Sequence, residues 1–109
     1  MVEICREQEC ALTVRGHAGS GKKGEDLVCA AVSALVLTLA ANTDRMVRAG
    51  WVTDPVISLG EGSARIRCTP TRAYWAAAEL VFGSVCAGFS VLAAKYPNHV
   101  RMEEKTGKV

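Results

Sequence analysis

A histidine and a cysteine stand twelve positions apart near the beginning of the chain, on either side of a glycine-rich stretch. His17 follows an alternating segment typical of a β-strand, and Cys29 lies in an alanine- and leucine-rich segment typical of a helix. The start of a helix carries partial positive charge and unpaired N–H groups, which favour a thiolate over a thiol. An imidazole beside the sulfur can accept its proton and form an ion pair with it. These residue types indicate nucleophilic catalysis by Cys29, with His17 as base and backbone N–H groups for a developing oxyanion.

Two further polar side chains fall on the same predicted helix as the cysteine. Asp26, Cys29 and Ser33 are spaced at i, i+3 and i+7, which puts them on one stripe of an otherwise apolar helix. Two roles are open for Asp26, which either orients His17 or caps the helix. Two are also open for Ser33, which either donates a hydrogen bond in the site or bonds back to its own helix. We treat both as candidate supporting residues.

The same stretch has simpler interpretations. A single cysteine in an apolar helix is commonly a small buried hydrophobic residue, and a histidine at a strand end is commonly a satisfied polar side chain. The only other histidine, His99, is interpreted as a surface residue in a polar turn. Residues 16–23 also resemble a phosphate-binding loop, but Lys23 stands where that loop needs a Ser or Thr hydroxyl to hold Mg²⁺. Nucleotide binding is therefore not expected.

Cysteine usage predicts the compartment. The chain has five cysteines, an odd number, and no two of them form a Cys-x-x-Cys pair. The N-terminal residues show no basic segment followed by an apolar one, so we expect a reducing cytoplasm. Neither the histidines nor the dispersed cysteines have metal-ligand spacing, and we expect no metal and no cofactor. Outside the candidate site, the cysteines are interpreted as packing residues: Cys5, Cys10, Cys68 and Cys86.

The elements that position these side chains follow from the hydrophobic pattern. Alternation predicts strands at 2–5, 11–16, 56–59, 64–68 and 100–103, and composition predicts helices at 25–42 and 71–95. Four glycines make 16–24 a loop, and Gly60-Glu61-Gly62-Ser63 is a ready turn between two strands. The order β-β-α-β-β-α-β predicts a single α+β domain over residues 1–109, with two apolar helices packed on a small sheet.

Composition narrows the partners. The 109 residues are 50% hydrophobic and 22% charged, with a formal net charge of +2 that is too small and too scattered to predict nucleic-acid binding. The longest apolar stretch, residues 27–41, is short for a bilayer span, so no membrane association is expected. Residues 73–94 contain one charged side chain, Glu79. We expect so apolar a helix to cover a surface beyond the sheet, in a two-fold homodimer.

The glycine-rich stretch and the segment after it resemble a known family. Gly16-His17-Ala18-Gly19, followed by Gly24-Glu25-Asp26-Leu27-Val28-Cys29-Ala30-Ala31-Val32-Ser33-Ala34-Leu35, is similar to the signature of the bacterial ribosomal-processing cysteine proteases, Prp. The resemblance implies a small homodimeric α/β fold with Cys29 as nucleophile and His17 as base. It also implies a substrate, the short N-terminal extension of large-subunit ribosomal protein number twenty-seven, cut after an aromatic pair.

The loop between the two candidate residues departs from the family. The resemblance implies that residues 19–24 cover the bound peptide, namely Gly19, Ser20, Gly21, Lys22, Lys23 and Gly24. Ser20-Gly21-Lys22-Lys23 stand where many relatives carry aromatic or apolar residues, so this loop offers polar cover to an aromatic-rich peptide. An alternative function is a non-catalytic ribosome-associated or regulatory protein that binds the same peptide without cutting it.

Overall fold

The computed structural model describes residues 1–16 and 23–105, and in the first helix it describes side chains from Leu27 onward. Seven elements follow in the predicted order β-β-α-β-β-α-β. The strands are β1 (Val2–Gln8), β2 (Ala11–Arg15), β3 (Val52–Gly60), β4 (Ser63–Pro70) and β5 (Val100–Glu104). The helices are α1 (Lys23–Arg48) and α2 (Trp75–Lys95). The predicted α+β class is confirmed.

One five-stranded sheet carries both helices on the same face. The strand order is β3-β4-β2-β1-β5, with antiparallel pairing throughout except for β1 and β5, which are parallel. Alternate side chains point to the helices and form the core, where Leu12, Ile66 and Phe82 are almost completely buried. The opposite face is polar and carries Arg65 and Glu103. The predicted arrangement of two layers is confirmed.

Helix α1 extends six residues beyond its predicted end at residue 42. The polar run after Ala41 interrupts the apolar pattern without breaking the helix, which ends at Arg48, two residues before Gly50. The N–H of Trp51 donates to the carbonyl of Met46 (2.9 Å) and that of Gly50 to Val47 (3.0 Å), with Gly50 at φ +79°. This is a Schellman ending, for which glycine is the favoured residue because it needs a positive φ.

Every strand also differs from its predicted bounds by one to four residues, and β1 continues to Gln8 through part of the polar segment that follows its predicted end at residue 5. Three further differences change the start of an element. Helix α1 begins at Lys23 rather than Glu25, which moves Lys23 and Gly24 out of the predicted loop and into the first turn. Strand β3 begins at Val52 rather than at residue 56, because Val52 and Thr53 already pair with β4. A bulge at Asp54 and Pro55 follows, where Asp54 has φ +52°. Helix α2 begins at Trp75, after a turn in which the Tyr74 N–H donates to Thr71.

The helices are long and apolar enough to cross a membrane by length and composition alone, over Leu27–Arg48 and Trp75–Lys95. The prediction from residues 27–41 underestimated the first of these, because the helix continues to Arg48. In the fold both helices pack on the sheet, and α2 meets α1 at Gly88, where an added Cβ would lie 3.1 Å from Leu35. Only 28% of each apolar segment is buried, so much of both helices remains exposed.

Candidate active site

Cys29 lies on the second turn of α1 and is half-buried against the core. The sequence predicted a position nearer the first turn. The difference arises because the helix begins two residues earlier than the sequence predicts. Unpaired N–H groups belong to the first four helical residues, and the favourable field of a helix end falls off within about one turn. The helix start alone is therefore expected to favour the thiolate of Cys29 only modestly.

A groove of about 270 Å³ runs beside Cys29 between α1 and the β3–β4 hairpin. Its walls are mostly apolar. Leu37 lines the groove from α1 and Leu59 lines it from the hairpin, and both side chains are exposed. Ser33, one turn after Cys29, lines the same groove and is exposed. The full lining comprises Val2, Val14, Gly16, Cys29, Val32, Ser33, Val36, Leu37, Leu59, Gly60, Gly62, Ser63 and Ala64. The structure thus brings a thiol and a hydroxyl together at the edge of an apolar channel.

Gly16 joins the end of β2 to this groove. Its N–H donates to the carbonyl of Gly62 (3.1 Å), which ties the strand end to the β3–β4 turn. Its φ of +93° suits glycine, and an added Cβ would collide with the carbonyl oxygen of Met1. Gly16 and Cys29 line the same groove, and Gly16 is the residue that directly precedes His17 in the sequence.

Several predicted site residues lie outside the described residues. These are the candidate base His17 and the loop residues Gly19, Ser20, Gly21 and Lys22. The side chain of Asp26 is likewise outside the described part, although its backbone belongs to α1. The roles of His17 and Asp26 remain predictions.

The other cysteines sit in different surroundings. Cys10, Cys68 and Cys86 are buried between the sheet and the helices, and burial raises the pKa of Cys86 to about 11. Cys5 is half-buried on the polar face, where desolvation chiefly raises the pKa of its thiol and the nearby Glu103 carboxylate adds to the shift. Cys29 is therefore the cysteine that the apolar groove presents. Within residues 1–16 and 23–105, no three His, Cys, Asp or Glu side chains are grouped to hold a metal ion.

Sequence reasoning missed the hairpin wall of the groove. Leu59, Gly60 and Ala64 were assigned only to strands and a turn, because nothing local links them to Cys29. Antiparallel pairing of β2 with β4 brings the turn next to Gly16, with Arg15 opposite Ser63. Two glycines flanking Glu61 were the available signal, since glycine marks a close approach of another segment as well as a turn.

Solved structures resemble this chain over nearly its whole length. The ribosomal processing protease Prp from S. aureus, crystallised with a substrate peptide, superposes with a TM-score of 0.72 at 20% identity, covering 96% of this chain and 100% of that one. SMU.848 from Streptococcus mutans superposes with a TM-score of 0.67 at 25% identity, covering 97% and 93%. A comparison with curated proteins finds no match.

The family comparison covers the candidate site as well as the sheet. The sequence model of the family described as cysteine protease Prp matches residues 1–101, which include both His17 and Cys29. A match over six whole elements and the start of β5, which also includes the glycine-rich stretch between β2 and α1, is more specific than a likeness of fold. The chain belongs to the Prp family of cysteine proteases.

Proposed function

We propose that this protease removes the short N-terminal extension of large-subunit ribosomal protein number twenty-seven, cutting after an aromatic pair. The observation that supports this best is the apolar groove of about 270 Å³ beside Cys29. Leu37 and Leu59, 58% and 49% exposed, offer apolar surface to the large side chains of such a peptide. The structural relative from S. aureus is described as a ribosomal processing protease and was crystallised with a substrate peptide.

In the proposed mechanism, Cys29 is the nucleophile and His17 the base. His17 takes the thiol proton, and the thiolate attacks the scissile carbonyl to form a tetrahedral oxyanion held by backbone N–H groups. His17 then gives the proton to the leaving amine, and a thioester remains on Cys29. Water attacks this acyl-enzyme and releases the cleaved extension with a free carboxylate, which restores the Cys29 thiol. The exposure of Ser33 one turn from the sulfur supports the first of its two candidate roles, in which it donates a hydrogen bond in the site.

The decisive experiment uses the precursor ribosomal protein from the organism that encodes this chain. We expect the wild-type protease to produce one new N-terminus, read by intact-mass spectrometry under reducing conditions, and Cys29→Ala and His17→Ala to produce none. His99→Ala is the matched control, because it removes the only other histidine. It should retain cleavage.

Each alternative gives a different result. A precursor that binds the folded protease but stays intact contradicts the proposed cleavage and favours the non-catalytic peptide-binding function. Cleavage that survives His17→Ala and is lost in His99→Ala would show that the base is His99, in the turn before β5. Cleavage at a site without aromatic residues would leave the thiol chemistry in place and overturn the proposed specificity.

The proposal extends to assembly and compartment. A homodimer is supported by the apolar residues that α2 exposes, including Leu80 at 71% and Val91 at 56%. A cytoplasmic location is supported by five cysteines without a disulfide, all of them within the described residues, and suits a substrate made on cytoplasmic ribosomes.

A further inference from the structure

Two cysteines away from the catalytic groove lie directly opposite each other on neighbouring strands. The β2–β4 register pairs Ala11 with Arg67 and Leu12 with Ile66, which sets Cys10 against Cys68. The N–H of Cys68 donates to the carbonyl of Cys10 (3.0 Å), so the two occupy a hydrogen-bonded position of the ladder. Such pairs have Cα atoms about 5.5 Å apart, within the range of about 4.4–6.8 Å that a disulfide spans.

Both side chains point to the same interior face. Cys10 continues the alternation of Leu12 and Val14, and Cys68 that of Ile66, all of which are buried under the helices. Cys10 is 4% exposed and Cys68 8%, and their thiols are close enough to hydrogen-bond. Rotations about the side-chain bonds can then bring two thiols at this separation to bonding geometry.

The surroundings favour one thiolate within the pair. The hydrogen bond between the two thiols is the chief cause that lowers the pKa of Cys68 and raises that of Cys10. The guanidinium of Arg6, fixed by hydrogen bonds to the Glu9 carbonyl (2.8 and 3.2 Å), acts on Cys10 rather than on Cys68, and its positive charge opposes part of the rise in the pKa of Cys10. For Cys86, in contrast, burial is the chief cause of the shift, and it raises the pKa of that thiol to about 11.

We propose that Cys10 and Cys68 are a modification site, which peroxide converts into a reversible cross-strand disulfide independent of Cys29. The Cys68 thiolate attacks one peroxide oxygen; the O–O bond breaks, hydroxide leaves and takes up a proton, and Cys68 becomes a sulfenic acid. The Cys10 sulfur then attacks the Cys68 sulfur, the S–O bond breaks, and the hydroxyl leaves as water with the Cys10 proton. Two thiols are oxidised to one disulfide, and peroxide is reduced to two waters.

The cross-link stabilises the ladder that supports the groove. The β2–β4 ladder is flanked by the Cys10–Cys68 pair at one end, where Cys10 directly precedes β2, and by the Gly16–Gly62 hydrogen bond at the other. A disulfide closing the long segment between residues 10 and 68 restricts the unfolded chain, so we expect the unfolding temperature to rise by roughly 10 °C. A thiol reductant should reverse the rise.

The test uses the full chain with Cys29→Ser, so that the groove thiol does not compete for oxidant. After treatment with hydrogen peroxide under native conditions, remaining thiols are alkylated in denaturant and mapped by mass spectrometry. We expect the chain to lose the mass of two hydrogen atoms, with a Cys10–Cys68 cross-linked peptide and with Cys5 and Cys86 alkylated. Wild-type protein alkylated beforehand at Cys29 should give the same map.

Matched variants decide the outcome. Cys5→Ser in the same background should keep the disulfide and the shift in unfolding temperature, whereas Cys10→Ser and Cys68→Ser should lose both. The proposal is overturned by an unchanged mass, by a disulfide to Cys5 or Cys86, by cross-linked chains only, or by a singly oxidised cysteine that does not proceed to a disulfide. None of these results bears on precursor cleavage, so the two proposals fail separately.

Discussion

Gly16 has little conformational freedom where β2 ends. Its positive φ, its N–H bond to Gly62 and the close approach of the Met1 backbone all act on one residue. The residue is also the last one before His17 and part of the groove wall. A side chain here would change the direction in which the chain leaves the strand, and therefore the placement of the proposed base.

Gly16→Ala should lower both stability and activity. The positive φ costs about 1–3 kcal/mol with a side chain, and the collision with Met1 forces the backbone to move. A shift of about 1 Å in a catalytic group costs roughly a hundredfold in rate, so we expect precursor cleavage to fall at least tenfold. Urea unfolding and cleavage rate measure the two effects.

Gly50→Ala is the matched control for that substitution. Gly50 has a similar φ of +79°, but an added Cβ there meets nothing within 4 Å. It should lose about 1 kcal/mol of unfolding free energy and keep its cleavage rate. Equal losses of activity in both variants would show that the role assigned to Gly16 is wrong.

The reactivity of individual thiols tests the proposed ion pair. Iodoacetamide at pH 6 should alkylate Cys29 at least tenfold faster than Cys5, because His17 keeps the first as a thiolate. The pKa of Cys5 is raised, mainly by desolvation, so its thiolate is scarce at pH 6 and increases only as the pH rises. His17→Ala should remove the difference, as measured by peptide mapping. Equal rates in the wild-type chain would contradict an activated Cys29.

At the scale of elements, the sequence predicted the features that depend on residues close together in the chain, such as turns and helices. The turn at Gly60–Ser63 was predicted from two glycines, and the structure pairs Gly60 with Ser63 around it, with Gly62 at φ +75°. The end of α1 was predicted too early, because hydrophobic periodicity fades at Asn42 while the stop is set by Gly50. The resemblance to Prp rests on the same local stretch, and the roles that it implies for Cys29 and His17 stay predictions.

Other features depend on pairings between distant segments, which one sequence does not reveal. The parallel pairing of β1 with β5 joins the two ends of the chain, with Val2 opposite Val100. The groove needs α1 and the β3–β4 hairpin to face each other across about thirty residues of sequence. The contact between Cys10 and Cys68 likewise appears only once β2 lies against β4.

The helix α2 supports the core through one stripe of residues, and Phe82 is completely buried in it. Phe82→Ala should lower the free energy of unfolding by about 3–5 kcal/mol, because the cavity cannot fill under a rigid sheet. The Arg6 guanidinium, 6.0 Å from the ring centroid, also loses its aromatic neighbour. Urea denaturation followed by circular dichroism measures the change.

Ser84 on the same helix provides the control. It is exposed, and its hydroxyl donates to the carbonyl of Leu80 within the helix (2.7 Å). Ser84→Ala should change the unfolding free energy by no more than about 0.5 kcal/mol. A loss there as large as that of Phe82→Ala would mean that α2 is held by contacts outside this chain.

At the scale of the whole molecule, the two faces of the fold differ in character. The described part measures 45 × 29 × 15 Å and is therefore thin. A single layer of helices covers one face of the sheet, and the outer side of that layer faces solvent or another chain. The open face of the sheet is charged, while α2 has one acidic residue, Glu79, between its first turn and its last. Exposed apolar surface is costly in water, so the outer face of α2 is the expected dimer interface.

Sedimentation velocity at micromolar concentration should therefore show a dimer, and Leu80→Asp should convert it to a monomer. A charge in the middle of an apolar interface is buried without a partner, which costs several kcal/mol and shifts dissociation by at least a hundredfold. Leu27→Asp is the matched control, since Leu27 is 73% exposed and lies on α1. A wild-type monomer, or a dimer that Leu27→Asp dissociates and Leu80→Asp does not, would contradict an interface on α2. Retained dimerisation with both variants would do so as well, because neither exposed leucine would then be buried between the chains.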